Sequence, residues 1–238
     1  MPLIIPTMFY QPRGVFDPAG GGGAAATYTP IYGNAQDLAF ATSTYTSPSQ
    51  TWTAGQAVVF VTQAGSSGTL TVTIKGVSAT QVGSYTTGNV GSLWQATVTA
   101  GSGTVVVVGS GVFGGVGTAG GVVTTTTTTP FSSSVLPMAV VSEPQAVVST
   151  TVPANGIGVV FAGGAFGSSA SLPFTWAAGG VRDSITEAAG TGGGSSSSAV
   201  GGAHVAAGAT ATPSVASANG TFNFTGTTGA MAVVAFSP

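Results

Sequence analysis

The chain has 238 residues, 43% of them hydrophobic and only 3% charged, with three Lys or Arg against five Asp or Glu. An ordinary soluble domain carries about 25% charged residues, so this composition excludes the basic surface that phosphate neutralisation needs, and nucleic acid with it. High hydrophobicity with little net charge is the reverse of a disorder signature, so the chain should fold. The absence of cysteine removes disulfides, thiolate metal sites and cysteine nucleophiles together.

Residues 1 to 26 stand apart. Pro2, Pro6, Pro12 and Pro18 favour extended backbone, and Gly20 to Gly23 supply a joint before Ala24 to Ala26. Leu3, Ile4, Ile5, Phe9 and Tyr10 give this arm apolar groups in need of cover, so it is expected to dock on a partner subunit or on the chain's own sheets. The same stretch lacks a basic leader region and is interrupted by Pro6, which makes it a poor secretory signal. No apolar run approaches the roughly 20 residues of a membrane helix, so no membrane insertion is expected.

From Thr27 onward the sequence reads as strands and turns. Leu70, Val72 and Ile74 alternate with Thr69, Thr71 and Thr73, the period of two of a half-buried strand. Trp94, Ala96 and Val98 likewise share one face, which assigns Trp94 to the core. Residues 57–61, 105–108 and 232–236 are β-branched-rich runs without polar alternation, as expected for strands covered on both faces. Helix formers are scarce; Ser184 with Glu187 has capping-box spacing, but Gly190 limits it to about one turn.

An internal echo adds architecture. Gly55-Gln56-Ala57-Val58-Val59-Phe60 returns as Gly156-Ile157-Gly158-Val159-Val160-Phe161, and residues 98–104 resemble residues 215–221. The fold expected is all-β: a jelly-roll-like antiparallel β-sandwich with an extended N-terminal arm. The sandwich spans 27–238 and can be built from two similar halves, about 27–130 and 131–238; one body is preferred over two tandem sandwiches because the Thr/Ser/Gly stretches read as its loops.

Chemistry-bearing motifs are few. His204 lies among small residues in Gly201-Gly202-Ala203-His204-Val205, and no G-x-S-x-G elbow accompanies it. Asp183 and Glu187 could form a carboxylate pair, yet Arg182 beside them can neutralise the cluster. No calcium-loop series occurs. Gly109-Ser110-Gly111-Val112-Phe113-Gly114 fits G-x-G-x-x-G, but more glycines follow where a dinucleotide fold needs a helix. The sequons at Asn219 and Asn223 are expected by chance in a Thr-rich chain. The expectation is a non-enzymatic protein with no cofactor and no metal. Trp52 and Trp176 are read first as core, and otherwise as platforms for stacking on a host-surface glycan.

The blocks Leu70-Thr71-Val72-Thr73-Ile74-Lys75-Gly76-Val77-Ser78-Ala79-Thr80, Leu93-Trp94-Gln95-Ala96-Thr97-Val98-Thr99-Ala100-Gly101, Val152-Pro153-Ala154-Asn155-Gly156 and Ala230-Met231-Ala232-Val233-Val234-Ala235-Phe236 resemble β-sandwich proteins encoded among virion genes of tailed phages and gene transfer agents. Lys75 stands where many such relatives carry glycine. The resemblance implies a virion component assembled in the host cytoplasm: a head fibre, a capsid decoration or a tail-associated protein. Its partners would be other virion proteins and copies of itself, a trimer among the options. Sheet edges almost without lysine gatekeepers also favour burial in an assembly.

Overall fold

The computed structural model describes residues 24–65, 68–85, 90–138, 145–146, 150–166, 174–177, 180–190, 197–205, 210–211, 214–217 and 229–238. The arm residues Leu3, Ile4, Ile5, Phe9 and Tyr10 lie outside them, as do both sequons. The chain is all-β and forms an antiparallel sandwich. Its first strand set is β1 (Thr27–Thr46), β2 (Gln50–Trp52), β3 (Gly55–Gly65), β4 (Leu70–Ile74), β5 (Val77–Ser78), β6 (Thr80–Tyr85), β7 (Val90–Val98), β8 (Gly101–Gly103) and β9 (Val105–Thr124). The second is β10 (Ser132–Met138), β11 (Gln145–Ala146), β12 (Thr150–Thr151), β13 (Ile157–Phe166), β14 (Phe174–Ala177), β15 (Val181–Arg182), β16 (Ala188–Ala189), β17 (Ser197–Val205), β18 (Thr210–Ala211), β19 (Ser214–Ser217) and β20 (Gly229–Phe236).

Both sets follow one rule: the first strand pairs with the last, and the next strands inward pair in turn as far as β3 with β7 and β13 with β17. In the first set β1 pairs with β9, β2 with β8 and β3 with β7. In the second β10 pairs with β20, β11 with β19, β12 with β18 and β13 with β17. Nested pairing of this kind is a long hairpin, and further ladders roll it up: β3 and β4 on β9, β13 on β20 and β14 on β19. The result is the jelly-roll order, written twice.

β3 and β13 hold equivalent central places, which is what the repeated Gly-x-x-Val-Val-Phe segment encodes. The second echo is only half described: Val98 ends β7, residues 101–103 form β8, Val215 lies in β19, and residues 218–221 fall outside the described chain.

Side-chain alternation explains why residues 57–61 of β3 are apolar without a break. Ala57, Val59 and Val61 join Trp52, Trp94, Ile74 and Val107 in the core of the first roll. Val58 and Phe60 point the other way and meet Val159, Phe161, Ala232 and Val234 of the second. The two rolls therefore stack through their central sheets, and a one-residue slip of either strand would exchange its two buried sets. The Phe60 and Phe161 rings lie parallel across this seam, with centroids 6.1 Å apart. Close approach is set by Gly91, where any Cβ would fall 2.1 Å from the Ala230 methyl. On one flank Ser133 Oγ donates to the Val82 carbonyl at 2.6 Å, tying β10 to β6.

Two local readings need correction, those of the 105–108 run and of the capping box. The 105–108 run is not covered on both faces: Val105 and Val107 are buried, whereas Val108 is exposed, because this part of β9 belongs to the outer layer with β4. Gly109 to Gly114 lie within β9, where its register against β1 shifts between Thr42 and Thr44, so these glycines serve a strand bend. Finally, the capping box does not form. The turn is a 3-10 helix at Ser184–Thr186, Asp183 occupies its N-cap without a side-chain cap bond, and that carboxylate is engaged elsewhere.

The seven residues that join the rolls, 125–131, carry five threonines and lie against the chain's end. Thr125 Oγ1 donates to the Ser237 carbonyl at 2.5 Å and Thr126 Oγ1 to the Pro238 carbonyl at 2.7 Å.

Candidate functional site

The ionisable side chains are the natural place to look for chemistry. Asp183 and His204, distant in sequence, are brought together by β15 pairing with β17 and by the Asp183 amide bonding to the Gly202 carbonyl. His204 Nδ1 donates to Asp183 Oδ1 at 2.9 Å. Asp183 is buried, and its Oδ2 is closed off without a hydrogen-bond partner among the described residues. Tyr28 of β1 packs its ring against His204, centroids 6.4 Å apart, and its hydroxyl is likewise enclosed and unpaired. Burial, reinforced by the Asp183 charge, pushes the Tyr28 phenol well above its ordinary pKa.

Sequence proximity alone suggested that Arg182 neutralises both acids. Instead it makes a two-pronged ion pair with Glu187, Nε to Oε1 at 2.6 Å and Nη2 to Oε2 at 2.7 Å, and leaves Asp183 to His204. The Thr186 hydroxyl, the nearest in the turn, donates to the Asp183 carbonyl at 2.6 Å. A carboxylate-oriented imidazole is two-thirds of a hydrolytic triad, but no hydroxyl among the described residues is hydrogen-bonded to Nε2. What the arrangement does do is stitch β1 of the first roll to β15 and β17 of the second.

Hydrogen bonding to Asp183 raises the His204 pKa above 6.5, against a smaller opposing effect of burial. Because the folded-state value is the higher one, protonation favours the folded chain. The contribution is complete below the unfolded value of 6.5 and is lost as pH rises through the folded value. Melting temperature followed from about pH 5 to about pH 9 should therefore show a downward step that His204→Gln removes. An identical profile for the variant would contradict this.

The other charged side chains among the described residues, Lys75 and Asp37, are engaged locally. Lys75 Nζ donates to the Thr99 and Ala100 carbonyls and to Thr99 Oγ1, at 3.0, 2.7 and 3.1 Å. Lys75 itself adopts φ +54 in the tight turn between β4 and β5, a conformation that favours glycine; those three bonds offset its strain. Asp37 Oδ1 accepts from the Ala39 amide at 3.0 Å and holds a bulge in which Ala39 and Phe40 both have positive φ. Among the described residues, no group of three or more His, Asp or Glu could hold a metal ion, and no helix is long and apolar enough to cross a membrane.

Exposed apolar groups are the other functional signal. Phe40, at 53% exposure, caps the bulge beside the β9 bend, where Val108 and Val112 are also exposed. Val181 and Ile185 stand out around the 3-10 turn.

The tryptophans divide. Trp52 is 1% exposed, packed edge-on against Tyr32 at 5.8 Å with its Nε1 donating to the Gly103 carbonyl, so it offers no face to a glycan. Trp94 is in the same core. Trp176 is partly exposed, but its Nε1 is enclosed without a partner among the described residues. Comparison of the chain with protein-family models, with curated proteins and with solved structures returned no match.

Proposed function

We propose that the chain is a non-enzymatic structural subunit of a tailed-phage virion, head-exposed or tail-associated, which assembles in the host cytoplasm through its N-terminal arm and sheet edges. The observation that carries this reading is the state of its charges. Each charged side chain described, Asp37, Lys75, Arg182, Asp183 and Glu187, is bound to the chain itself. Partners must then be recognised through shape, backbone hydrogen bonds and apolar contact, which suits durable assembly better than steered exchange.

Two further features support it. Jelly rolls recur in capsid shells and in lectins, and this chain has that strand order twice. Among the described residues β1 pairs with β9 alone, so its other edge makes no strand pairing along 20 residues, whose register breaks near Pro30, at the Asp37 bulge and between Thr42 and Thr44. Such an edge invites either aggregation or a built-in neighbour.

The test is deletion of residues 1 to 26. The shortened chain should keep its β circular dichroism and its melting transition, yet fail to enter particles when it replaces the full chain in a phage-producing culture. Incorporation at the normal level would overturn anchoring by the arm.

A further inference from the structure

Where the linker between the rolls crosses the ends of β3, β6 and β7, it roofs a cleft of about 360 Å³, within the ordinary range of small-molecule sites. Its polar floor is built. Gln56 and Gln95 are both buried, and each amide is fixed in direction. Gln95 Nε2 donates to Gln56 Oε1 at 2.8 Å and to the Thr128 carbonyl of the linker at 2.6 Å, while Gln56 Nε2 donates to Thr97 Oγ1 at 3.0 Å. Val82, Ala96 and Pro130 supply apolar wall, and the Ser78 and Thr80 side chains stand at the exposed rim. Among the described residues, no Asp, Glu, Lys, Arg or His lines the cleft.

We infer that this cleft binds a neutral saccharide unit. Phosphates, carboxylates and cations find no counter-charge there, so nucleotides, acidic sugars and metals are poor fits. Amides and hydroxyls both donate and accept, which is what adjacent sugar hydroxyls require, and the apolar wall suits the C–H face of the ring. The interlocked glutamines pre-organise the site, since their orientation costs no further ordering when ligand arrives. An extended peptide would instead seek a long free strand edge, whereas among the described residues β3 is paired on both sides at Gln56 and β7 at Gln95, leaving only residues 96–98 of β7 without a partner on the β6 side. The inference stands apart from the virion reading, and the binding surface it gives does not use Trp52 or Trp176.

The test uses the full chain with glucose, galactose, mannose and N-acetylglucosamine, free and as β-linked dimers, followed by ligand-observed NMR and titration calorimetry. At least one should bind saturably with a Kd of about 1 mM or tighter. Thr80→Trp, an exposed rim change compatible with a strand, should weaken that binding about tenfold or more without moving the melting temperature; Thr97→Val should weaken it as well. Absence of binding by every sugar, binding that survives Thr80→Trp, or competition by trialanine in place of any sugar would each overturn the assignment. None of these outcomes bears on particle incorporation, so the two readings fail separately.

Discussion

Phe60→Ala should destabilise the whole chain as one unit, by about 3–5 kcal/mol, and Phe161→Ala by a similar amount. Each ring is fully buried, and each belongs to the apolar cluster shared by the two rolls. Removing either opens a cavity at the seam, bordered by strands from both, which neither roll can fill alone. The two changes share that cavity, so the double variant should cost less than the sum of the singles. Chemical denaturation read by far-UV circular dichroism and by tryptophan fluorescence should give a single coincident transition for every variant. Two separated transitions, with each substitution moving only one, would show that the rolls fold independently and that their stacking contributes little.

Trp52→Ala carries the second large effect, again about 3–5 kcal/mol, and it bears on function as well as stability. The indole lies wholly inside the first roll, against Tyr32, and satisfies the Gly103 carbonyl on the β8 strand that pairs with β2. Its loss leaves a cavity and frees the short β2–β8 ladder. Trp176→Ala should behave differently. That indole N–H is enclosed without a partner among the described residues, so truncation removes an unsatisfied donor along with the contact area, and the two effects partly cancel. Thermal unfolding of the pair should show a large drop for Trp52→Ala and a small change for Trp176→Ala. Equal drops would contradict this division, and a Trp52→Ala chain with unchanged stability would place the indole outside the core.

These residues also show what sequence can and cannot carry. The period-two pattern at 70–74 was legible because one face of the strand meets a core and the other does not, and that at 93–98 because Trp94, Ala96 and Val98 share the core of the first roll while Gln95 and Thr97 bring polar groups to the opposite face. The shared Gly-x-x-Val-Val-Phe segment was legible because β3 and β13 are covered on both faces in the same way. Nested pairing was not. Which strand meets which depends on contacts between residues as distant as Thr27 and Thr124, and no local periodicity encodes them. The 105–108 run misled for the same reason: four consecutive valines look alike whether the strand lies between two sheets or on the outside.

The charged residues were the least legible. Arg182, Asp183 and Glu187 read as one cluster by proximity, but backbone direction sends Asp183 inward to His204 and leaves Arg182 and Glu187 to each other. A signal was available in hindsight. A lone histidine on a strand of glycine and alanine needs a partner if it is even half-buried, and a buried acid was the cheapest one in this chain. The cleft at Gln56 and Gln95 gave no sequence signal, since their amides meet only because Gln56 and Gln95 sit on paired strands, with the linker above.

The central claim, that this doubly rolled chain works as a structural part of a particle, is tested most directly by cryo-electron microscopy of purified virions from a culture that expresses it. The predicted result is density on the head shell or tail that fits two jelly rolls stacked through their central sheets. It should repeat with the symmetry of its site, with the segment before Thr27 running into a neighbouring subunit. Virions without such density, with the chain recovered only as free protein, would contradict it.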